Sequence, residues 1–216
     1  MARARLVRVL LAALMVVLVA GCGSSGGSGA PVANISTSDD DGYRGIRMAA
    51  PYGDSYPVPD VSLTDADGKP FDLATQQKRT LVFFGYTNCP DICQIVMSTI
   101  ASAVAKLSAS NRDKLQVAFV TTDPARDTQK VLKGYVARFN PDFIGVTGPL
   151  GRIVTLAKPM GIDILKGTKL PSGGYEVQHT TNVIAVRAAK GDLVWTAATS
   201  PSDMATDLKQ LLKADG

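Results

Sequence analysis

The chain of 216 residues has a single histidine and only three cysteines, and it has no cluster of histidine and glutamate. A zinc hydrolase needs a general base beside an open metal site, commonly built from such a cluster, so this class of enzyme is excluded. Three of the 23 basic residues lie in the first 21 positions, so the remainder nearly balances the 19 acidic residues. We therefore predict no nucleic-acid surface. The sequence also has no internal repeat.

The N-terminal segment has the order of features found in an export signal. Three arginines precede an apolar run at 9–20, which is shorter than the ~20 residues that a bilayer-spanning helix needs. The run is followed by Val-Ala-Gly-Cys ending at Cys22, which resembles a bacterial lipobox. We predict a signal peptide at 1–21 and lipidation of Cys22; the alternative is an uncleaved transmembrane anchor. Either places the domain on the extracytoplasmic face of the cell membrane, where disulfides are permitted.

Residues 22–43 have the composition of a tether. Glycine and serine dominate the first part, and the acidic triplet Asp39-Asp40-Asp41 ends it. Such a segment buries too little apolar surface to order itself, so we predict a flexible linker between the lipid and the domain. Residues 44–216 have the length of one domain.

The most informative motif is Cys89-Pro90-Asp91-Ile92-Cys93, which follows an apolar run. Thiols four positions apart share a face if a helix begins there, so both sulfurs can point at one atom. With His179 they would form a set of two thiolates and an imidazole, which suits Cu(I), Cu(II) or zinc. The same two thiols could instead close a disulfide. The motif therefore indicates metal or redox chemistry.

The rest of the domain alternates between strand and helix patterns. Short apolar runs predict strands buried on both faces, and the spacing of apolar residues predicts helices between them. Two later runs with a Gly191-containing turn predict a β-hairpin, and Ser200-Pro201 predicts the start of the last helix. This order predicts an α/β thioredoxin-like fold with a central mixed sheet flanked by helices. The predicted strands are 81–85, 115–120, 143–146, 183–186 and 193–195, and the predicted helices are 92–107, 128–139, 150–157 and 201–212.

Three blocks of the sequence resemble the Sco/SenC family of copper-handling proteins. They are residues 84–93 with the cysteine pair, residues 123–128 with the sequence Asp-Pro-Ala-Arg-Asp-Thr, and residues 179–181, which begin with His179 and precede an apolar strand. The resemblance extends over most of residues 57–212. It has two departures: Gln94 stands where a proline is usual, and Ala188-Ala189 replaces an aspartate-proline pair.

The resemblance implies a membrane-tethered copper metallochaperone and not an enzyme. Copper, as Cu(I) or Cu(II), would be held by Cys89, Cys93 and His179. It would be delivered to the copper A centre in the copper-bearing subunit of cytochrome c oxidase. Some relatives act mainly as thiol-disulfide reductants for the cysteines of that centre, which would use a redox disulfide between Cys89 and Cys93. The carrier needs His179, whereas the reductase does not.

Other redox classes fit the sequence less well. A thioredoxin-type oxidoreductase has two residues between its cysteines and a cis-proline facing them. Here there are three residues between the cysteines, and no proline lies between Pro171 and Pro201. A peroxiredoxin has a proline and a threonine upstream of its cysteine, and no proline precedes Cys89 in that stretch. The reductase within the Sco/SenC family therefore remains the main alternative.

The two aspartates of the second block admit a structural explanation. An Asp-Pro turn at Asp123 and a helix N-cap at Asp127 would account for them without a metal. The functional alternative is that Asp123 orients the metal ligands through hydrogen bonds. The place of the cysteines at the start of a helix also predicts lowered thiol pKa values, because the helix dipole favours the thiolate.

Overall fold

The apolar run that precedes the cysteine pair forms the central strand of the fold. In the computed structural model, which describes residues 42–47, 55–90, 92–169 and 175–215, this strand is Arg79–Gly85 and all seven of its residues are buried. The predicted signal peptide 1–21, the lipidated Cys22 and the linker up to residue 41 lie outside the described residues, as does Asp91 of the cysteine motif. The strands are β1 Ile46–Arg47, β2 Tyr56–Pro57, β3 Ser62–Asp65, β4 Pro70–Asp72, β5 Arg79–Gly85, β6 Leu115–Thr121, β7 Ile144–Thr147, β8 Ile164–Lys169, β9 Tyr175–His179, β10 Val183–Arg187 and β11 Lys190–Trp195.

Most strands belong to one mixed sheet. Strand β5 pairs in parallel with β6 and antiparallel with β10, and β6 pairs in parallel with β7. The order across this nine-stranded sheet is β1-β11-β10-β5-β6-β7-β3-β4, and β2 pairs with β11. Strands β8 and β9 pair antiparallel in a separate two-stranded sheet. The predicted mixed sheet is therefore confirmed, and the separate pair is an addition to it.

Helices pack on both faces of the main sheet, because side chains of β5 alternate between the two faces. Leu81 and Phe83 join one buried cluster, whereas Val82 and Phe84 join the other. The first cluster includes α1, α3 and α5, and the second includes α4. Within the described residues, no helix combines the length and the apolar composition needed to cross a membrane. The helices are α1 Ile92–Ala105, α2 Ala109–Asp113, α3 Gln129–Ala137, α4 Leu150–Ala157 and α5 Pro201–Ala214.

The four predicted helices begin where expected except for one N-cap, and α2 was not predicted. Ser200 caps α5 as predicted, since its hydroxyl accepts a hydrogen bond from the Asp203 N–H at 3.1 Å. The prediction that Asp127 caps α3 is wrong. Thr128 is the N-cap, and its hydroxyl accepts from the Val131 N–H at 3.3 Å. The Asp127 carboxylate is thereby free to bind elsewhere.

The chain is already packed on the domain where the linker was predicted to end. Tyr43 packs against the cluster that contains Cys93. The carboxylate of Asp207, which is fully buried, accepts hydrogen bonds from the backbone N–H groups of Arg44 and Gly45, both at 2.8 Å. It also accepts one from Trp195 Nε1 at 2.7 Å. Asp207 therefore fixes the point where the N-terminal segment joins the domain.

The turn of the β10–β11 hairpin does not contain Gly191, where the sequence predicted it. The turn residues are Ala188 and Ala189, with φ angles of 50° and 60°, a left-handed region that costs an L-residue energy. Gly191 lies inside β11 opposite Val186. A Cβ atom at Gly191 would lie 2.8 Å from Ile184 Cγ2, so the glycine permits a close approach within the hairpin.

We expect the double substitution Ala188→Asn and Ala189→Gly to stabilise the domain by about 1–2 kcal/mol. Asn-Gly is the preferred pair for a two-residue hairpin turn with positive φ at both positions, and left-handed backbone costs an alanine roughly 1–2 kcal/mol. Urea unfolding of the purified protein measures the gain. Gly191→Ala is the control, expected to destabilise through its contact with Ile184. An unchanged or lower urea midpoint in the double variant would show that the turn carries no strain.

Candidate metal centre

The cysteine pair lies where the central strand gives way to a helix. Cys89 is in the connection between β5 and α1, and Cys93 is in the first turn of α1. Both side chains are buried, and both are free thiols in this structure. The Cys93 N–H donates to Cys89 Sγ at 3.4 Å, and the two thiols are hydrogen-bonded to each other. The motif thus holds both sulfurs side by side, as its spacing predicted.

His179 reaches the thiols from the separate two-stranded sheet. It ends β9, and its Nε2 atom lies 3.6 Å from Cys93 Sγ. Its Nδ1 atom lies 3.1 Å from the carbonyl oxygen of Thr180, which can only accept, so we assign the ring proton to Nδ1. The unprotonated Nε2 atom then faces the sulfurs, which is the tautomer that a metal ligand needs.

Two aromatic rings hold the imidazole in place. The ring centroids of Tyr86 and His179 are 5.9 Å apart with the rings nearly perpendicular, and those of Phe83 and His179 are 6.2 Å apart. Edge-to-face contacts of this kind are favourable. Phe83 is in β5, and Tyr86 is in the loop that joins β5 to α1. The main sheet and this loop therefore orient the His179 side chain, which belongs to the two-stranded sheet.

The three predicted ligands are joined in pairs. Cys89 contacts Cys93, and Cys93 contacts His179. Among the described residues, no three His, Cys, Asp or Glu side chains converge closely enough to form a complete metal site. The donor types nevertheless fit copper, because thiolates suit Cu(I) and an imidazole beside thiolate tolerates Cu(II).

The prediction of a lowered thiol pKa is wrong for Cys93. Its pKa is raised, first by the hydrogen bond with Cys89 and then by burial, with smaller contributions from the charges of Cys89 and Asp127. These effects outweigh the helix N-terminus. The Cys93 thiol is therefore protonated at neutral pH in the metal-free protein, and a metal that binds there must displace a proton.

Asp123 is linked to the imidazole through two other side chains. It is buried and forms an ion pair with Arg126, whose guanidinium carbon lies 5.8 Å from the centre of the Tyr86 ring. Tyr86 in turn packs against His179. The packing of Tyr86 around the site was expected from the sequence, whereas nothing beyond its presence in the second matching block indicated Arg126 as a support. That Asp123 orients the ligands stays a prediction.

Gly85 leaves the space that the Cys93 sulfur occupies. A Cβ atom at this position would lie 3.1 Å from Cys93 Sγ and 2.9 Å from Phe119 Cε2. Contacts that short force one of the neighbours to move. The absence of a side chain at the end of β5 therefore lets the sulfur approach the strand.

Comparison with known proteins assigns the chain to a family. The SCO1/SenC family model matches residues 52–213. The chain belongs to the SCO1/SenC family. The match includes both cysteines and the histidine of the candidate centre, so the resemblance seen in the sequence is confirmed.

Relatives of this SCO1/SenC protein occur in bacteria and mitochondria. A protein of Stutzerimonas stutzeri that is named for copper binding is 36% identical over 130 residues, which cover 60% of this chain and 63% of the relative. The mitochondrial protein SCO2 of Saccharomyces cerevisiae is 37% identical over 140 residues, which cover 64% of this chain and 44% of the relative. The SCO1/SenC chain thus spans less than two thirds of the length of these two relatives.

Solved structures of the family have the same fold. Apo Sco1 from Thermus thermophilus superimposes with a TM-score of 0.69 at 30% identity, covering 78% of this chain and 96% of the other. ScoI from Bradyrhizobium japonicum, solved with copper bound, gives a TM-score of 0.64 at 28% identity, covering 71% and 98%. The predicted thioredoxin-like fold of this SCO1/SenC chain is confirmed.

Proposed function

We propose that this chain is a copper carrier that holds one copper ion with Cys89, Cys93 and His179. The observation that carries the proposal is the contact between Cys93 Sγ and His179 Nε2, made while Nδ1 is held by a backbone carbonyl. Two thiolates suit Cu(I), and the imidazole extends the set to Cu(II). The copper-bound structure of Bradyrhizobium japonicum ScoI supports copper as the metal.

The proposed destination is the copper A centre of cytochrome c oxidase. The relative BsSco is described as a member of the Sco family of cytochrome c oxidase assembly proteins, which supports this choice of client. The copper-bearing subunit of the oxidase is then the partner, and the protein acts as a carrier and not as an enzyme. The buried position of both sulfurs suits a carrier, because it keeps the ion from adventitious ligands until the client docks.

The second candidate function is thiol-disulfide reduction. A disulfide switch has been identified in the relative BsSco, and Cys89 and Cys93 of this chain are close enough to hydrogen-bond. Reduction of another protein needs an accessible thiolate as nucleophile. Here Cys93 is fully buried and its pKa is raised. Burial and protonation both oppose attack by Cys93, so we place the reductase second.

The test of the carrier is copper titration of the reduced protein. We expect one copper per chain, with absorption bands from thiolate-to-Cu(II) charge transfer, because the described residues bring together one set of two thiols and an imidazole. Cys89→Ala or Cys93→Ala should abolish these bands. Metal analysis measures the number of copper ions per chain, and optical absorption measures the charge-transfer bands. Binding of two coppers, or bands that survive loss of either cysteine, would rule out this site.

We further propose that Cys22 carries a lipid that anchors the domain to the extracytoplasmic face of the cell membrane. The support is the lipobox-like tetrapeptide that ends at Cys22. A family member from Bacillus anthracis is described as a lipoprotein. Cys22→Ala should leave a poorly processed precursor that takes up no labelled fatty acid. The same labelling and processing in Cys22→Ala and wild type would indicate an ordinary signal peptide or a retained helix.

A further inference from the structure

A fully buried carboxylate supports the loop that carries Cys89. Asp127 has no exposed surface, and it accepts three hydrogen bonds. The backbone N–H of Thr87 donates to Oδ2 at 3.0 Å, and the Thr87 hydroxyl donates to Oδ1 at 2.5 Å. The Thr121 hydroxyl donates to Oδ2 at 2.6 Å. Asp127 thus joins the end of β6 to the segment between β5 and α1.

That segment is short, so holding Thr87 constrains its neighbours. Thr87 follows Tyr86, whose ring packs against His179, and it precedes Cys89 by two residues. The Cys89 N–H donates to the Tyr86 carbonyl at 3.2 Å and closes a turn around Thr87. Both bonds from Thr87 to Asp127 therefore act inside the turn that sets the direction of the Cys89 side chain.

A carboxylate suits this position better than an amide. All three partners of Asp127 donate, and a carboxylate has two accepting oxygens. In asparagine the amide oxygen could keep the Thr87 N–H and the Thr121 hydroxyl, but the NH2 group would face the Thr87 hydroxyl, which would have to change from donor to acceptor. All the bonds would also lose the strength that the charge of a carboxylate gives them. Burying a charge is costly unless hydrogen bonds compensate it, so the three donors explain how the charge is kept there.

We propose that Asp127 is a positioning residue of the copper site. Through Thr87 it fixes the turn Tyr86–Cys89, and so it sets where the Cys89 sulfur lies relative to Cys93 and how the Tyr86 ring bears on His179. The inference rests on the proposed copper function. It gives Asp127 a role in the site that neither the N-cap prediction nor the prediction for Asp123 contained.

The experiment uses Asp127→Asn and the milder Thr87→Val, which removes one donor and keeps the carboxylate. Asp207→Asn is the matched control, because Asp207 is also fully buried and also accepts three hydrogen bonds, from residues that bear no predicted ligand. Each variant is examined reduced and copper-free by amide hydrogen exchange and by NMR of the His179 ring. Each is then titrated with copper, and the Cu(II) bands and the paramagnetic resonance spectrum are recorded.

In Asp127→Asn we expect exchange of the Thr87 amide to accelerate at least about 10-fold, since a neutral amide oxygen accepts more weakly than a carboxylate. Copper affinity should fall about 10–100-fold with shifted Cu(II) spectra, as for groups that orient ligands. Thr87→Val should shift the spectra in the same direction by less. Asp207→Asn should lower thermal stability and leave spectra and affinity unchanged.

Unchanged Cu(II) spectra and affinity in a folded Asp127→Asn protein would overturn the inference. If Asp127→Asn does not fold, Thr87→Val decides, and wild-type spectra in that variant would overturn it. If the wild-type protein itself binds no copper, the proposed function fails. The copper-free exchange of Thr87 and the His179 ring shifts then still judge the positioning role, and wild-type values in Asp127→Asn would reject it.

Discussion

Replacing His179 by alanine should lower copper affinity by more than about 100-fold while thiol-disulfide exchange stays within a few-fold of wild type. The substitution removes the imidazole nitrogen that faces Cys93 Sγ and leaves both sulfurs in place. Loss of a direct ligand should exceed the ~10–100-fold effect typical of the groups that orient ligands. Exchange depends instead on the thiolate fraction and accessibility of the cysteines, and both cysteines remain in the variant. Competition with a Cu(I) chelator and reaction with a model disulfide measure the two properties.

Cells that carry the same variant distinguish the two candidate functions. At limiting copper, a carrier without His179 should fail to support oxidase assembly, as should Cys93→Ala. A reductase would tolerate loss of His179 and fail only without the thiols. Normal oxidase activity with His179→Ala, together with none in Cys93→Ala, would therefore replace the carrier by the reductase.

Replacing Gly85 by alanine should destabilise the protein by about 1–3 kcal/mol, the usual cost of inserting a methyl group into a packed core. The new Cβ atom would contact Phe119 Cε2 and Cys93 Sγ, and the latter is in a helix that cannot easily retreat. If the sulfur moves, the Cu(II) bands should also shift or weaken. Urea unfolding measures the first effect, and copper titration of the folded variant measures the second.

Gly134 supplies the matched control for Gly85. It lies inside α3, and a Cβ atom there would have no neighbour within 4 Å. Gly134→Ala should therefore raise stability by up to about 1 kcal/mol, because alanine favours the helix, and it should leave copper binding unchanged. If both variants lose stability, or if Gly85→Ala behaves like Gly134→Ala, the contact with the Cys93 sulfur does not explain the stability of Gly85→Ala.

The main elements of the fold could be predicted because each has a local pattern. The buried strand β5 is a continuous apolar run, and α5 begins at a Ser-Pro pair. The hairpin turn was misplaced because Gly191 attracted the prediction, whereas the turn consists of two alanines in left-handed backbone. Glycine at Gly191 is required by the packing of Ile184, which is a contact between two strands and leaves no local mark in the sequence.

The part of the candidate site that has a local sequence pattern could be predicted, and the part that depends on distant contacts could not. The spacing of Cys89 and Cys93 places the sulfurs together without further information, but His179 is far away in sequence and was assigned mainly by resemblance. Asp127 was predicted to be a cap because one of its two partners, Thr87, lies 40 positions earlier and leaves no local pattern. The raised pKa of Cys93 also depends on burial and on its neighbour, so the helix dipole alone predicted the wrong direction.

The thiols lie in the loop and helix that follow β5 of the main sheet, whereas His179 ends β9 of the separate sheet, and within the described residues the two sheets share no backbone ladder. A single ion bound by the thiols and by the imidazole would therefore act as a removable cross-link between the two sheets. Under linkage, copper at 1,000 times its dissociation constant adds about 4 kcal/mol of resistance to their separation. Surrender of the ion to a client would withdraw that support from β8 and β9. Proteolytic cleavage of these two strands should then be faster in the copper-free protein than in the copper-bound protein. The rate of cleavage would report whether copper is bound.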